Sequence, residues 1–458
     1  MHRALILGAG ITGRSAARWL RAAGWRVVVT ERSGFELQGT RGVFDELKSS
    51  EYRADYIPVR ADRFDLVLRS PGVRESDPAL RAARALGIPV VSELDLPGPD
   101  INRPMVAVTG TNGKGSVSSY VGHFLSASTF DVPVVGNIGR SFTLARSEMP
   151  PDRWLVVEVS AAQLEDTNVF SPFVGVITNV VPEHMDRYTW QQYKSLKAHL
   201  GNLVRADGTL VVCADDAVAV EIGQHHEGEV MAYSGGSGLG GFDSGVVVEP
   251  SGVVSRHTKY GVETWALPPP LLERLGRANL AGALAATLAA GRSFEQALKR
   301  VGCIGARPHA FEMFLDDGST VWIDDAKATN PYSTVHALEK LKGVTSAGTA
   351  VLIVGGEGSK RPEFGSMLDA IEELRPHVIC VDDTGLELYE CLTVEKLPSL
   401  SYCETIEAAV GVASDIARKS QQRTAVLYSP GANSYDARFA PEPRGKAFKE
   451  VVRRRFGA

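Results

Sequence analysis

Met105-Val106-Ala107-Val108-Thr109-Gly110-Thr111-Asn112-Gly113-Lys114-Gly115-Ser116 is the stretch on which the reading of this chain turns. Four apolar residues in a row, bounded by glycine, predict a buried strand. The glycines after it let backbone N–H groups crowd onto a phosphate. Lys114 adds a mobile positive charge, and the helix that begins there adds its N-terminal dipole. The strict G-x-x-x-x-G-K-[ST] pattern is not met, because Val108 stands at its first glycine and Gly115 follows the lysine. The variant T-G-T-N-G-K is matched from Thr109 to Lys114, and Gly115-Ser116 extends it to G-T-N-G-K-G-S. A nucleoside triphosphate site is expected.

Upstream, Ala4-Leu5-Ile6-Leu7 reads as a first strand, Gly8-Ala9-Gly10-Ile11-Thr12-Gly13 as a G-x-G-x-x-G turn, residues 14–23 as a helix, and Val27-Val28-Val29-Thr30-Glu31 as a second strand. This is the start of a Rossmann-like unit with an acidic residue closing its second strand. Alone it is compatible with a dinucleotide site or with a tight turn that holds nothing. A strand at 65–69 running into the turn Ser70-Pro71-Gly72-Val73, a helix at 80–86 and a strand at 89–92 follow, and 96–100 reads as a linker.

Downstream of the loop, strands are expected at 154–159, 174–179 and 208–214, with a helix at 190–204. The Gly/Ser-rich stretch 234–255 reads as loops and hairpins. An alanine-rich helix at 279–290 and a helix at 294–301 lead to a boundary near 303. Strands at 320–323, 350–354, 377–381 and 424–428, alternating with helices, predict a parallel sheet covered on both faces. The basic tail 444–455 reads as a solvated helix. The expected fold is α/β in three domains: a Rossmann-like domain at 1–100, a central P-loop-type ATPase domain at 101–303, and a Rossmann-like domain at 304–458.

Bulk properties narrow the function classes. The 458 residues are 44% hydrophobic and 22% charged, as in an ordinary globular chain, and the net charge of −5 argues against nucleic acid as a partner. Cys213, Cys303, Cys380, Cys391 and Cys403 are odd in number and show no C-x-x-C spacing, which favours a reducing compartment over a disulfide framework. No signal peptide and no apolar run long enough to span a membrane is read, so a cytoplasmic protein without membrane partners is expected.

The motifs together resemble the Mur ligase family of ATP-dependent amide ligases. Besides the loop, Gly136-Asn137-Ile138-Gly139 is similar to the family's G-N-I-G, and Glu158-Val159-Ser160-Ala161-Ala162-Gln163-Leu164-Glu165 to its E-[LV]-S-S-F-Q-L-E. Residues 179–187 (N-V-V-P-E-H-M-D-R) resemble its histidine segment, and Tyr193 and Lys197 its Y-x-x-x-K. Residues 323–330 (I-D-D-A-K-A-T-N) and the ending 429–436 (S-P-G-A-N-S-Y-D) with Arg444-Gly445 resemble the member that adds D-glutamate.

That resemblance implies ligation of D-glutamate to UDP-N-acetylmuramoyl-L-alanine through an acyl phosphate, giving ADP and phosphate, in a monomer using ATP and two Mg²⁺ ions. It implies ATP contacts from Thr109, Gly110, Thr111, Asn112, Gly113, Lys114, Gly115, Ser116, Asn279, Asp325 and Lys327. Ser116, Glu158, His184 and a CO₂-carbamylated Lys197 would serve the metals, and Lys114, Glu158, His184 and Lys197 the chemistry. Asn137 would contact the UDP-sugar peptide. Ile11, Thr12, Ser70 and Gly72 would receive the uridine diphosphate, while Thr329, Lys360 and Ser434 would face D-glutamate. Read without the resemblance, Glu158 is a solvated strand end and Lys197 a helix-surface lysine.

Departures from the family pattern stand at Gly115, where a Ser or Thr is usual, at Ala310, where an arginine is usual (Arg307 lies just before), and at Gly282, where a second asparagine is common. Ala326 replaces a serine, and Lys360 is displaced by one position. The alternatives are a folylpolyglutamate synthase-like ligase, a ligase-like protein that binds nucleotide without catalysis, and a nucleotide-dependent oxidoreductase using residues 8–13. Ligand-driven domain closure is expected.

Overall fold

The computed structural model describes residues 2–30, 51–53, 63–96, 103–127, 130–236, 238–305, 308–345, 348–356, 364–432 and 441–456. Glu31, Arg307, Lys360, Ser434 and nearly all of the linker at 96–100 lie outside them. The chain forms two compact units, Met1–Ile304 and Gly305–Ala458. Among the described residues the first unit carries two sheets and the second carries one.

The first sheet has the order β3-β2-β1-β4-β5 and is parallel throughout: β1 (Arg3–Leu7), β2 (Arg26–Thr30), β3 (Glu51–Arg53), β4 (Leu66–Arg69) and β5 (Val90–Val91). Chain order reverses at β1, so its C-terminal end and that of β4 border the crevice where α/β sheets bind ligands. The helix after the glycine turn, α1, spans Ile11–Ala22. It therefore starts three residues before the expected 14, because Gly10 is extended and caps it while Ile11 already winds. The helix expected at 80–86 is Pro78–Ala85, since Asp77 caps it with its side chain and proline suits a first helical position. The strand expected at 89–92 is only two residues long, because Ser92 caps a short 3₁₀ turn at Glu93–Asp95.

The second sheet has nine strands in the order β14-β13-β12-β11-β10-β9-β6-β8-β7. Its parallel part comprises β6 (Met105–Thr109), β7 (Val134–Gly136), β8 (Leu155–Glu158), β9 (Val174–Ile177), β10 (Thr209–Cys213), β11 (Glu229–Ser234) and β12 (Gly245–Val248). All five residues of β6 are buried, as befits a central strand with both faces covered. The stretch expected as hairpins extends this sheet through antiparallel β13 (Val253–Thr258) and β14 (Gly261–Ala266). Because β6 lies between β8 and β9, the loop after it sits at a second reversal of chain order.

In the second unit the order is β15-β16-β20-β17-β18-β19, with β16 (Thr320–Asp324), β17 (Thr349–Val354), β18 (His377–Val381), β19 (Leu400–Cys403) and β20 (Thr424–Tyr428) parallel. The expectation of a purely parallel sheet is corrected at one edge, where β15 (Glu312–Asp316) runs antiparallel to β16. The tail is also corrected. Its helix, Pro441–Phe456, buries Arg444, Phe448, Lys449 and Val452, and its longest exposed run is 453–456. Arg444, Phe448 and Val452 lie four apart and share one helical face.

Candidate functional site

The loop after β6 is tied to the chain that leaves β9. Thr111 N–H donates to Asn179 O at 2.8 Å, Asn112 N–H to Asn179 Oδ1 at 2.9 Å, and Thr178 Oγ1 to Asn112 O at 2.6 Å. Gly110 has φ +137°, and a Cβ there would lie 1.9 Å from Thr178 Oγ1. Only glycine fits. Gly113, at φ +81°, caps the helix α2 (Lys114–Leu125), and Lys114 Nζ donates to the loop carbonyls of Gly110 and Thr111 at 3.0 and 2.7 Å. Asn279, on the helix α4 (Arg277–Ala289), covers the same turn: a Cβ on Gly113 would meet its Oδ1 at 2.5 Å. Further along α4, a Cβ on Gly282 would lie 2.9 Å from the ring of Tyr233. An aromatic ring fills the space that a side chain at position 282 would need.

Beneath the loop lies a buried lysine. Thr189 and Gln192 cap the helix α3 (Trp190–Leu203) reciprocally. The i, i+4 spacing turns Tyr193 and Lys197 to one inward face. Lys197 is 1% exposed, its Nζ donates to Thr109 Oγ1 at 3.2 Å, and it stands 5.1 Å from the Tyr193 ring centroid. Burial holds its amine well below the usual lysine range, Lys114 pushes it the same way, and Glu183 and Glu158 oppose the shift. Burial and Glu183 push the Tyr193 phenol up. Its hydroxyl lies 3.2 Å from Thr111 Oγ1 and donates to Glu183 Oε2 at 3.4 Å.

Glu158 ends β8 and is buried at 3% exposure, accepting from Asn137 Nδ2 at 2.8 Å. Among the described residues it forms no ion pair. A buried carboxylate without a cation from the chain suits a hard cation, so Glu158 fits a Mg²⁺ ligand. His184 has φ +60°, an uncommon and strained conformation for a non-glycine residue, and its Nε2 lies 3.8 Å from Glu183 Oε2. In the first sheet, Gly8 (φ +97°) closes against Ser70, whose Oγ donates to Gly8 O at 3.3 Å, while Ile11 is exposed at the start of α1.

In the second unit the ends of β16 and β20 hold Asp325. Its Oδ1 accepts from Phe311 N–H at 2.9 Å and its Oδ2 from Ser429 Oγ at 2.8 Å. Burial pushes its carboxyl up to about 7. Lys327 N–H donates to His309 O at 2.9 Å, and Thr329 is half-buried on the same loop. Arg444 donates to the carbonyls of Ala326, Ala328 and Ala432, lacing that loop to the one after β20. His309, Glu312 and Asp324 come close enough to hold a metal. However, Lys449 pairs with Glu312 and lies 3.6 Å from Asp324, so the chain neutralises this cluster itself.

Comparison with known proteins agrees with this arrangement. Residues 2–92 match the Mur ligase MurD-like N-terminal domain, 108–290 the Mur ligase middle domain, and 311–430 the Mur ligase glutamate ligase domain. A UDP-N-acetylmuramoylalanine–D-glutamate ligase of Geotalea uraniireducens is 31% identical over 98% of this chain and 96% of that protein. The ligase of the same name from Pelotomaculum thermopropionicum is 30% identical over 98% and 97%. The chain belongs to the Mur ligase family. Its fold is also that of a UDP-N-acetylmuramate–alanine ligase from Thermotoga maritima, with TM-score 0.59 and 17% identity over the whole of both chains.

For a Mur ligase, the structure brings together most of the first-unit residues expected from sequence. Thr109, Lys114, Glu158 and Lys197 converge at the ends of β6 and β8, Asn137 is bonded to Glu158, and Asn279 lies on the loop. Gly8 and Ser70 meet beside Ile11 and Thr12. The solvated readings of Glu158 and Lys197 are corrected, since both side chains are buried. Sequence reasoning missed Glu183, which faces both Tyr193 and His184, although it stands beside the histidine that marked the segment. It also missed the roles of Arg69, Glu165 and Arg187 in joining the two sheets of this unit.

Proposed function

We propose that this Mur ligase joins D-glutamate to UDP-N-acetylmuramoyl-L-alanine at the expense of ATP, in peptidoglycan synthesis. The observation that carries the reading is the set of half-buried Lys114 and buried Glu158 and Lys197 around one phosphate loop. The reaction brings an anionic carboxylate to a polyanionic phosphate chain, so cations must be fixed in place beforehand.

Residues 109–114 wrap the triphosphate, which takes the N–H groups at the start of α2, those of Thr111 and Asn112 being bonded to Asn179, and Lys114 leaves its loop carbonyls to meet the β- and γ-phosphates. Asn279, which covers the loop, contacts the nucleotide; for Asp325 and Lys327 the nucleotide contacts are what the family resemblance implies. Glu158 with Ser116, and His184 with Lys197, would hold Mg²⁺, and Gly115 would leave the loop's hydroxyl ligand to Ser116. Bound Mg²⁺ neutralises charge on the phosphoryl oxygens. Burial holds the Lys197 amine well below the usual lysine range and so favours the neutral form, which adds to CO₂ with loss of one proton. The resulting carbamate would be an anion able to help hold Mg²⁺.

Asn137 and the turns 8–13 and 70–73, through Ile11, Thr12, Ser70 and Gly72, orient the UDP-sugar peptide. Its L-alanine carboxylate oxygen attacks the γ-phosphorus and ADP leaves. The amine of D-glutamate then attacks the acyl carbon, phosphate leaves, and the amine proton goes to solvent. Thr329, Lys360 and Ser434 serve the D-glutamate carboxylates. We place the protein in the cytoplasm as a monomer. The match at 2–92 argues against the folylpolyglutamate synthase-like alternative, in which the loop stands near the N-terminus. Phosphate release from ATP, measured with UDP-N-acetylmuramoyl-L-alanine and a panel of amino acids, tests the reading. Release with D-glutamate is expected, and release only with another amino acid, or none, overturns it.

A further inference from the structure

Three of the sequence segments meet at a point that the ligase chemistry does not use. Arg187 ends the histidine segment, Glu165 ends the segment that begins at Glu158, and Arg69 precedes the Ser70-Pro71-Gly72 turn. Arg187 Nη1 donates to Pro71 O at 2.6 Å and its Nη2 to Val73 O at 3.1 Å, so one guanidinium holds both carbonyls of the turn. Arg69 Nε donates to the same Val73 O at 2.8 Å. Arg187 also pairs with Glu165 Oε1 at 2.6 Å, and Glu165 in turn accepts from Tyr188 and pairs with Arg69. Asp166 takes Arg69 at 3.0 Å and Arg84 at 2.6 Å. From the opposite side, Arg74 reaches Asp186 at 2.7 Å.

The other end of this connection is His184. The backbone N–H groups of Arg187 and Tyr188 donate to His184 O at 2.9 and 3.0 Å. His184 is held in its left-handed conformation by the turn that presents Arg187. The guanidinium is mostly covered, its side chain 16% exposed and that of Glu165 12%, so water competes weakly for these bonds. A planar fork that spans two carbonyls while pairing a carboxylate is a task for arginine, and lysine cannot reproduce it.

We propose that Arg187 is a positioning residue that fixes the 70–73 turn relative to His184. It thereby sets where the diphosphate end of the substrate is anchored with respect to the centre where its carboxylate reacts. The proposal rests on the reading above that this turn receives the uridine diphosphate. Arg187 itself touches no reacting atom. Its effect passes through the turn on one side and the histidine on the other, and misplacement of a substrate by about 1 Å is enough to lower turnover on the order of a hundredfold.

The test is UDP binding to the full chain by calorimetry, beside binding of a non-hydrolysable ATP analogue. Arg187→Met should weaken UDP roughly tenfold, because the turn is no longer held in its binding position, and leave the ATP analogue within about twofold. Arg187→Lys, which keeps the charge near Glu165, should fall between and serves if the methionine variant does not fold. In turnover, KM for the UDP-bearing substrate should rise while KM for ATP stays. Equal weakening of both ligands, or of neither, overturns the proposal, the first result marking Arg187 as a general structural residue. Wild-type protein that fails to bind UDP at all contradicts the assigned substrate instead.

Discussion

The first unit contains two turns of the same design and different content. At the end of β1 the chain passes through Gly8 to Gly13 without one charged side chain. At the end of β6 it passes through Gly110 to Lys114 over a buried lysine, with a buried carboxylate on the neighbouring strand. Both sit where a parallel sheet reverses its strand order, and both open a helix. The first offers N–H groups and a dipole, which is enough to hold a diphosphate. On the proposed function, the second adds the charges needed when a phosphate has to react. A glycine turn at a switch point is therefore a binding device, and the side chains gathered beside it decide whether it is also a reaction centre.

The sharpest way to break this contrast is to remove the charge that distinguishes the turns. Lys114→Ala should lower phosphate release on the order of 10³-fold at saturating substrates, with UDP binding unchanged. Retained turnover would make the second turn no more than another binding site. Next in size, Lys197→Met should lower turnover on the order of 10²-fold. Wild-type protein in ¹³C-bicarbonate should show a carbamate carbon by NMR, absent in the variant. Equal spectra would remove the carbamate from the account.

The contrast extends to backbone. Gly110→Ala meets both φ +137° and Thr178 Oγ1 at 1.9 Å, whereas Gly10 has no atom within 4 Å of a built Cβ. The first change should destabilise the protein by roughly 2–3 kcal/mol and the second by less than about 0.5 kcal/mol in denaturant unfolding. Similar losses at both positions would contradict the close fit at Gly110.

A pH-dependent effect smaller than that of Gly110→Ala is in the second unit. The folded-state pKa of Asp325, about 7, lies above its unfolded value. Its contribution is present in full below the unfolded pKa and is lost as pH rises through about 7. Between pH 6 and 8 the wild type should lose roughly 1 kcal/mol relative to Asp325→Asn. Parallel stability curves would place the ionisation elsewhere.

Much of this was legible in the residues. The continuous apolar run 105–108 and the glycines after it gave a buried parallel strand and its turn, and the Y-x-x-x-K spacing placed Tyr193 and Lys197 on one helical face. What stayed hidden depended on contacts across long sequence distance. Nothing local to Arg187 says that its partners are Pro71, Val73 and Glu165. The tail helix looked solvated because Arg444 and Lys449 are charged, although Phe448 and Val452 repeat at the same spacing. The strand at 312–316 was missed because an exposed antiparallel edge lacks the unbroken apolar run that marks a central parallel strand.

The central claim is that the charged loop catalyses transfer of phosphate to a carboxylate before an amine displaces it. It is tested most directly with UDP-N-acetylmuramoyl-L-alanine carrying ¹⁸O in its L-alanine carboxylate, together with ATP and D-glutamate. The account predicts that one ¹⁸O atom appears in each phosphate released. Phosphate released without label, while amide forms, would show that the carboxylate never attacked phosphorus and would contradict it.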